Sequence, residues 1–177
     1  MNVLHVARMR EGATSLDRSV PASELPEETD YRVLEPVALS AAANRDDDRV
    51  QIVGTAATVL EQACSRCLEN YPLPVHVAFD LTYLPAGEDA SEAEEVEIAE
   101  QDATTAFYRD GVIDLAELLH EQLYLSLPLK PLCKEACLGL CPVCGTNRNV
   151  TTCACDTRWE DPRLASLKAL LKDNDDA

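Results

Sequence analysis

Tyr71-Pro72-Leu73-Pro74-Val75-His76-Val77-Ala78-Phe79-Asp80-Leu81-Thr82-Tyr83-Leu84 alternates with a period of two, the signature of a pleated strand with one dry face and one wet face. Tyr71, Leu73, Val75, Val77, Phe79, Leu81 and Tyr83 fall on one side, and Pro72, Pro74, His76, Asp80 and Thr82 on the other. Pro72 and Pro74 carry no amide proton, so that end of the strand belongs at a sheet edge or outside the ladder. Upstream, 49–63 and 31–43 read as two more strands, with the polar run Asn44 to Arg49 as the turn between them. The connection from Cys64 to Asn70 then places Cys64 and Cys67 in a hairpin loop. Nearer the N-terminus, 2–7 and 14–20 are candidate short strands.

Downstream, 86–102 holds Glu88, Asp89, Glu92, Glu94, Glu95, Glu97, Glu100 and Asp102 with no basic residue. Like-charge repulsion and low hydropathy predict a solvated loop there, either a plain linker or a docking element for a basic partner. A helix is expected over 114–127. Asp114 stands at its cap, Glu117 three residues on can complete a capping box, and Leu115, Leu118, Leu119, Leu123 and Leu125 supply apolar surface. Pro128 and Pro131 stop it. Asp161-Pro162 reads as the cap and first turn of a last helix with Leu164, Leu167 and Leu171 at helical spacing.

The 177 residues suit one domain, or one domain with a small metal-stapled appendage. The formal net charge is −17, and it is uneven: 61–127 carries 2 basic and 15 acidic groups, whereas 128–177 carries 7 of each. Such a balance is far from that of a nucleic-acid binder. No apolar run has the length of a signal-peptide core or a membrane span, which predicts a cytoplasmic protein. In that compartment closely spaced cysteines hold metal or do redox work more often than they form structural disulfides.

Six of the eight cysteines lie between Cys133 and Cys155, as C-x3-C-x3-C-x2-C-x8-C-x-C. Cys141-Pro142-Val143-Cys144-Gly145 has the form of a zinc-ribbon knuckle, in which Pro stiffens the entry and Gly lets the backbone turn. Four thiolates make a closed structural site. The first choice is Cys141, Cys144, Cys153 and Cys155; Cys64, Cys67, Cys133 and Cys137 would form a second, giving one or two structural zinc ions. Spacing also allows a single site from Cys133, Cys137, Cys141 and Cys144, an iron–sulfur cluster, or C-x-x-C redox pairs. A redox C-x-x-C of the thioredoxin type opens a helix in a βαβ unit, whereas Cys64-Ser65-Arg66-Cys67 lies between strands.

The chain carries no H-E-x-x-H, G-x-S-x-G or G-x-x-x-x-G-K-[ST] motif. His5, His76 and His120 read as surface or packing residues, and Asp114 and Glu117 as helix-capping groups. No catalytic set is expected, so the protein is expected not to be an enzyme.

Cys64-Ser65-Arg66-Cys67-Leu68-Glu69, Ile113 through Leu118, Leu127-Pro128-Leu129-Lys130-Pro131-Leu132-Cys133, Gly139-Leu140-Cys141-Pro142-Val143-Cys144-Gly145-Thr146-Asn147 and Asp161-Pro162-Arg163-Leu164 occur in that order. Together they resemble the YceD family, the large ribosomal RNA subunit accumulation proteins of bacteria and plastids. The resemblance implies a non-enzymatic factor in large-subunit biogenesis that supports accumulation of its RNA. Affinity for RNA comes largely from neutralising phosphates, which this charge opposes. The expected partner is therefore an assembly intermediate or a basic ribosomal protein, with any RNA contact confined to the charge-balanced tail. A cytosolic thiol-redox protein is the alternative, and a structural adaptor without ribosomal connection a third reading. The expected architecture is α+β: a twisted antiparallel sheet with a packed helix over 1–127, and a cysteine-rich zinc module ending in a helix over 128–177.

Overall fold

The computed structural model describes residues 2–9, 12–86 and 104–156. They divide into two compact units: the chain up to Cys64 with Glu69–Cys133, and Ser65–Leu68 with the chain from Lys134 on. The first is mostly β-sheet with one helix. Its elements are β1 (Val3–His5), β2 (Gly12–Val20), β3 (Arg32–Val33), β4 (Val37–Asp46), β5 (Arg49–Ala63), β6 (Asn70–Pro85), β7 (Thr105–Tyr108), β8 (Val112–Asp114) and α1 (Leu115–Leu125). The main sheet runs β2-β4-β5-β6-β7 with β3 also on β5, while β1 and β8 form a separate pair. Among the described residues no helix is long and apolar enough to cross a membrane.

The period-two pattern does what it predicts. Val75, Phe79 and Tyr83 of β6 are buried and Pro72, Pro74, His76 and Asp80 are exposed. Along the proline end, β6 pairs only with β5, because β7 meets it from Thr82 onward. An edge strand tolerates prolines that an interior strand would not. On β4 the alternation is strict, with Val37, Leu39, Ala41 and Ala43 buried. Where Gly54 of β5 faces Ala41, any Cβ would collide with the Ala41 side chain, so the two strands approach as closely as they do only because residue 54 is glycine.

Three expectations need correction. The strand expected over 31–43 is two strands. Val33 faces Leu60 and Ala38 faces Ala57, so the intervening segment bulges around Pro36, where a ladder amide is missing. The Glu35 carbonyl freed by that bulge accepts a 2.6 Å bond from the buried Thr58 hydroxyl. The turn is tighter than Asn44 to Arg49: pairing continues to Asp46–Arg49, and Asp47 takes the left-handed conformation at φ 54°. The sheet is not wholly antiparallel, since β6 and β7 run parallel through Thr82–Thr105 to Pro85–Tyr108. The short strand expected at 14–20 does form, within the nine-residue β2, whose Leu16 and Val20 are buried.

The helix forms where expected but ends two residues earlier, at Leu125, with Ser126 as its C-cap. The Asp114 carboxylate accepts from the Ala116 and Glu117 amides at 2.8 and 3.4 Å. Leu115, Leu118, Leu119 and Leu123 are buried against the sheet core, whereas Leu125 stays 75% exposed. His120 is a structural tie: Tyr31 Oη is 3.1 Å from its Nδ1, and Glu28 is 3.2 Å from its Nε2. His5 and His76 are exposed. The expected last helix from Asp161 and all but Ala86 of the acidic stretch 86–102 lie outside the described residues.

Candidate metal centres

In the β5–β6 hairpin, pairing stops at Ala63–Asn70, and the Cys64 amide donates to the Glu69 carbonyl at 3.0 Å. Leu68 takes φ 61°, which turns the chain tightly enough to bring Cys67 round beside Cys64. Cys64 is fully buried and Cys67 and Cys137 are 3% exposed. The sulfurs of Cys64, Cys67, Cys133 and Cys137 all lie within 4.8 Å of one another.

Arg66, between the hairpin cysteines, organises the peptide that carries Cys137. Its guanidinium donates to the carbonyls of Glu135 (3.3 Å) and Cys137 (2.9 Å), and its own carbonyl accepts from the Leu140 amide at 3.0 Å. A Cβ at Gly139 would stand 3.0 Å from that carbonyl, and Gly139 has φ 71°; a side chain there is excluded twice over. Asn149 completes the surround. Its amide nitrogen donates to Cys137 Sγ at 3.3 Å and to Asn147 Oδ1 at 2.9 Å, while its oxygen accepts from the Leu138 amide at 2.9 Å. An N–H aimed at sulfur stabilises the thiolate and fixes its direction.

The second group is the knuckle. Leu140 and Asn147 bridge as a miniature antiparallel pair, the Cys141 amide donates to Thr146 O at 2.8 Å, and the Gly145 amide returns to Cys141 O at 2.9 Å. Gly145 has φ 72°, as the C-P-x-C-G pattern requires. Cys141, Cys144, Cys153 and Cys155 bring their sulfurs within 4.8 Å of one another. The Thr146 hydroxyl, 3.2 Å from Cys144 Sγ, is the main cause of a Cys144 thiol held down at about 6. Backbone amides of Cys144 and Val143 lower Cys141 likewise. Cys155 is pushed up instead, chiefly by its contact with Cys144. Four thiols so close cannot all shed protons against each other's charge; a cation among them is what would let them.

Both groups fit a four-coordinate ion. Metal–sulfur bonds of about 2.3 Å space tetrahedral sulfurs by about 3.8 Å, inside the 4.8 Å that bounds each group. All eight cysteines are free of disulfides. The spacing of the cysteines pointed to these residues, but Arg66, Thr146 and Asn149 carried no comparable signal. Their part depends on which backbone groups the turns leave pointing at them.

The fold and its thiols define a class: a one-sided β-sheet protein with two groups of four cysteines able to hold metal ions. The chain belongs to the YceD family, described as "Large ribosomal RNA subunit accumulation protein YceD", which it matches over residues 52–171. "Uncharacterized protein YlbN" of Bacillus subtilis (strain 168) is 25% identical over 177 residues, covering 99% of this chain and 98% of its own. "Large ribosomal RNA subunit accumulation protein YCED homolog 1, chloroplastic" is 28% identical over 162 residues in Zea mays, covering 77% of this chain. Its Arabidopsis thaliana counterpart is 24% identical over 184 residues, covering 92% of this chain. This chain spans 54% and 55% of the length of those two plant proteins. No solved structure matches.

Proposed function

We propose that this protein is a non-catalytic, cytoplasmic factor in biogenesis of the large ribosomal subunit. Two structural zinc ions hold its cysteine groups, and its acidic unit docks on a basic ribosomal protein or an assembly intermediate. The observation that carries this reading is membership, over 52–171, of a family named for accumulation of large-subunit RNA.

The side-chain chemistry supports the zinc part. In the second unit Leu138, Val143 and Val150 are 60, 63 and 81% exposed, while Cys67, Cys137 and Cys141 are buried. So little apolar surface is covered that burial alone cannot order the segment, and a zinc ion would supply four cross-links at one point. All-thiolate coordination leaves no open position for water, so such an ion fastens the chain and takes no part in bond-breaking. The charge supports the binding part: 2 basic against 15 acidic groups over 61–127 favour a cationic protein over a bare phosphate backbone.

The thiol-redox alternative has one observation in its favour, the exposed Cys144 with its depressed thiol pKa. Against it, Cys64 and Cys67 are sealed from any exchanging partner. Two measurements test the proposal. Native protein should contain zinc and few reactive thiols, and cells lacking the protein should lose large-subunit RNA relative to small-subunit RNA. Restoration of that RNA by a Cys141→Ser/Cys144→Ser variant would separate the metal from the function; reversible oxidation of native, metal-free protein during turnover would replace the proposal with the redox reading.

A further inference from the structure

β7, β8 and the first two turns of α1 enclose a depression of about 680 Å³ whose walls are chemically unequal. Asp114, Glu117 and Glu121 line it from one side, at the spacing that stacks them on one helix face. Tyr83 lines it from β6, and Phe107 and Arg109 from β7 and the residue that follows it. Phe107 is 66% exposed, a bare ring beside a cluster of carboxylates.

Tyr83 is the second and independent observation. It is only 6% exposed, and its hydroxyl has no hydrogen-bond partner among the described residues. Other tyrosines of this unit do find partners: Tyr31 meets His120 Nδ1 at 3.1 Å, and Tyr108 donates to the Asp48 carbonyl at 2.8 Å. Among the described residues Gln62 Oε1 is the fully covered side-chain polar atom left unpaired, so the Tyr83 oxygen is not sealed in the core but opens onto the depression that the ring lines. Burial, then the fields of Glu121, Glu117 and Asp114, hold Tyr83 in its neutral form. A neutral hydroxyl retains lone pairs to accept an N–H.

From this juxtaposition we propose that the depression receives a cationic side chain, arginine above all, from a basic polypeptide. The inference rests on the reading of the protein as a binder of a basic partner and gives that reading an address. The carboxylates are spaced too widely for a compact metal ion, since among the described residues only the two cysteine groups bring their ligand atoms within 4.8 Å of one another. A guanidinium is broad and planar, with five donors. It can reach the helix carboxylates and Tyr83 Oη while its plane lies against Phe107. Arg109 leaves one positive charge on the rim against three negative ones, so the attraction persists.

The test uses the full chain and a fluorescein-labelled octapeptide alternating arginine and valine, with the citrulline version as its neutral twin, in a low-salt polarisation titration. The arginine peptide should bind and the citrulline peptide should not. Glu117→Gln/Glu121→Gln should weaken binding about tenfold. Tyr83→Phe should weaken it about threefold, with no loss of melting temperature because its hydroxyl makes no bond among the described residues. Neutralising Glu92, Glu94, Glu95 and Glu97 should cost less than either. If the helix and Tyr83 variants bind like the parent while the 92–97 variant loses the peptide, this address is wrong and the basic-partner reading stands. If the parent ignores the arginine peptide, both fall.

Discussion

In the sheet unit Val37, Ile52, Leu60 and Leu119 have no exposed surface, whereas in the cysteine-bearing unit Leu138, Val143 and Val150 stand largely in solvent. The buried side chains of that second unit among the described residues are Cys67, Cys137 and Cys141. One region is ordered by apolar burial distributed over many strands. The other has sulfur where a core would be and relies on a few backbone bonds around Arg66, Thr146 and Asn149. The contrast teaches that a short segment can hold a defined shape with almost no hydrophobic effect, provided that something gathers its ligands.

The largest test of that contrast is removal of metal. Structural zinc contributes on the order of 10 kcal/mol to segments of this kind. A strong chelator should therefore abolish amide protection over 134–156 and leave protection in β4 and β5 intact. Hydrogen exchange read by mass spectrometry decides it, and unfolding of both units together would erase the distinction. The reciprocal experiment is Leu119→Ala. Deleting a fully buried leucine should cost about 2–5 kcal/mol in the sheet unit's denaturation midpoint, with bound zinc per chain unchanged.

A smaller effect probes the sulfur surroundings. Asn149→Ala removes the N–H that meets Cys137 Sγ and should lower metal affinity about tenfold, measured by competition with a chromophoric chelator. Smallest is a pH effect confined to the sheet unit. Burial first, then Glu28, push the Tyr31 hydroxyl up to about 12. With the folded pKa raised, its contribution is complete below the unfolded value of about 10 and is lost as pH climbs through about 12. Spectrophotometric titration should show Tyr31 ionising late, together with loss of the sheet's circular dichroism. Ionisation near 10 with the sheet intact would contradict the burial assigned to it.

Much of this was legible along the chain. Period-two hydropathy located β5 and β6, Asp114 located the start of α1, and cysteine spacing located the thiols. Each is a local signal, because side-chain alternation, a capping carboxylate and a C-x-x-C turn are all properties of neighbouring residues. Less legible was the break at Leu34–Pro36, since a bulge depends on what the partner strand β5 offers. The parallel seating of β7 on β6 could not be read either, because nothing in Thr105–Tyr108 encodes which strand it will meet.

By itself, then, the sequence determined the long strands β5 and β6, the helix cap, the two kinds of thiol turn and the acid balance, all set by residues within a few positions of one another. Only the tertiary structure decided that Tyr83 lies beside Asp114, Glu117 and Glu121, and that Asn149 reaches the Cys137 sulfur. Those meetings depend on register and on long loop closures, where the balance of burial and chain entropy over the whole unit selects the neighbours.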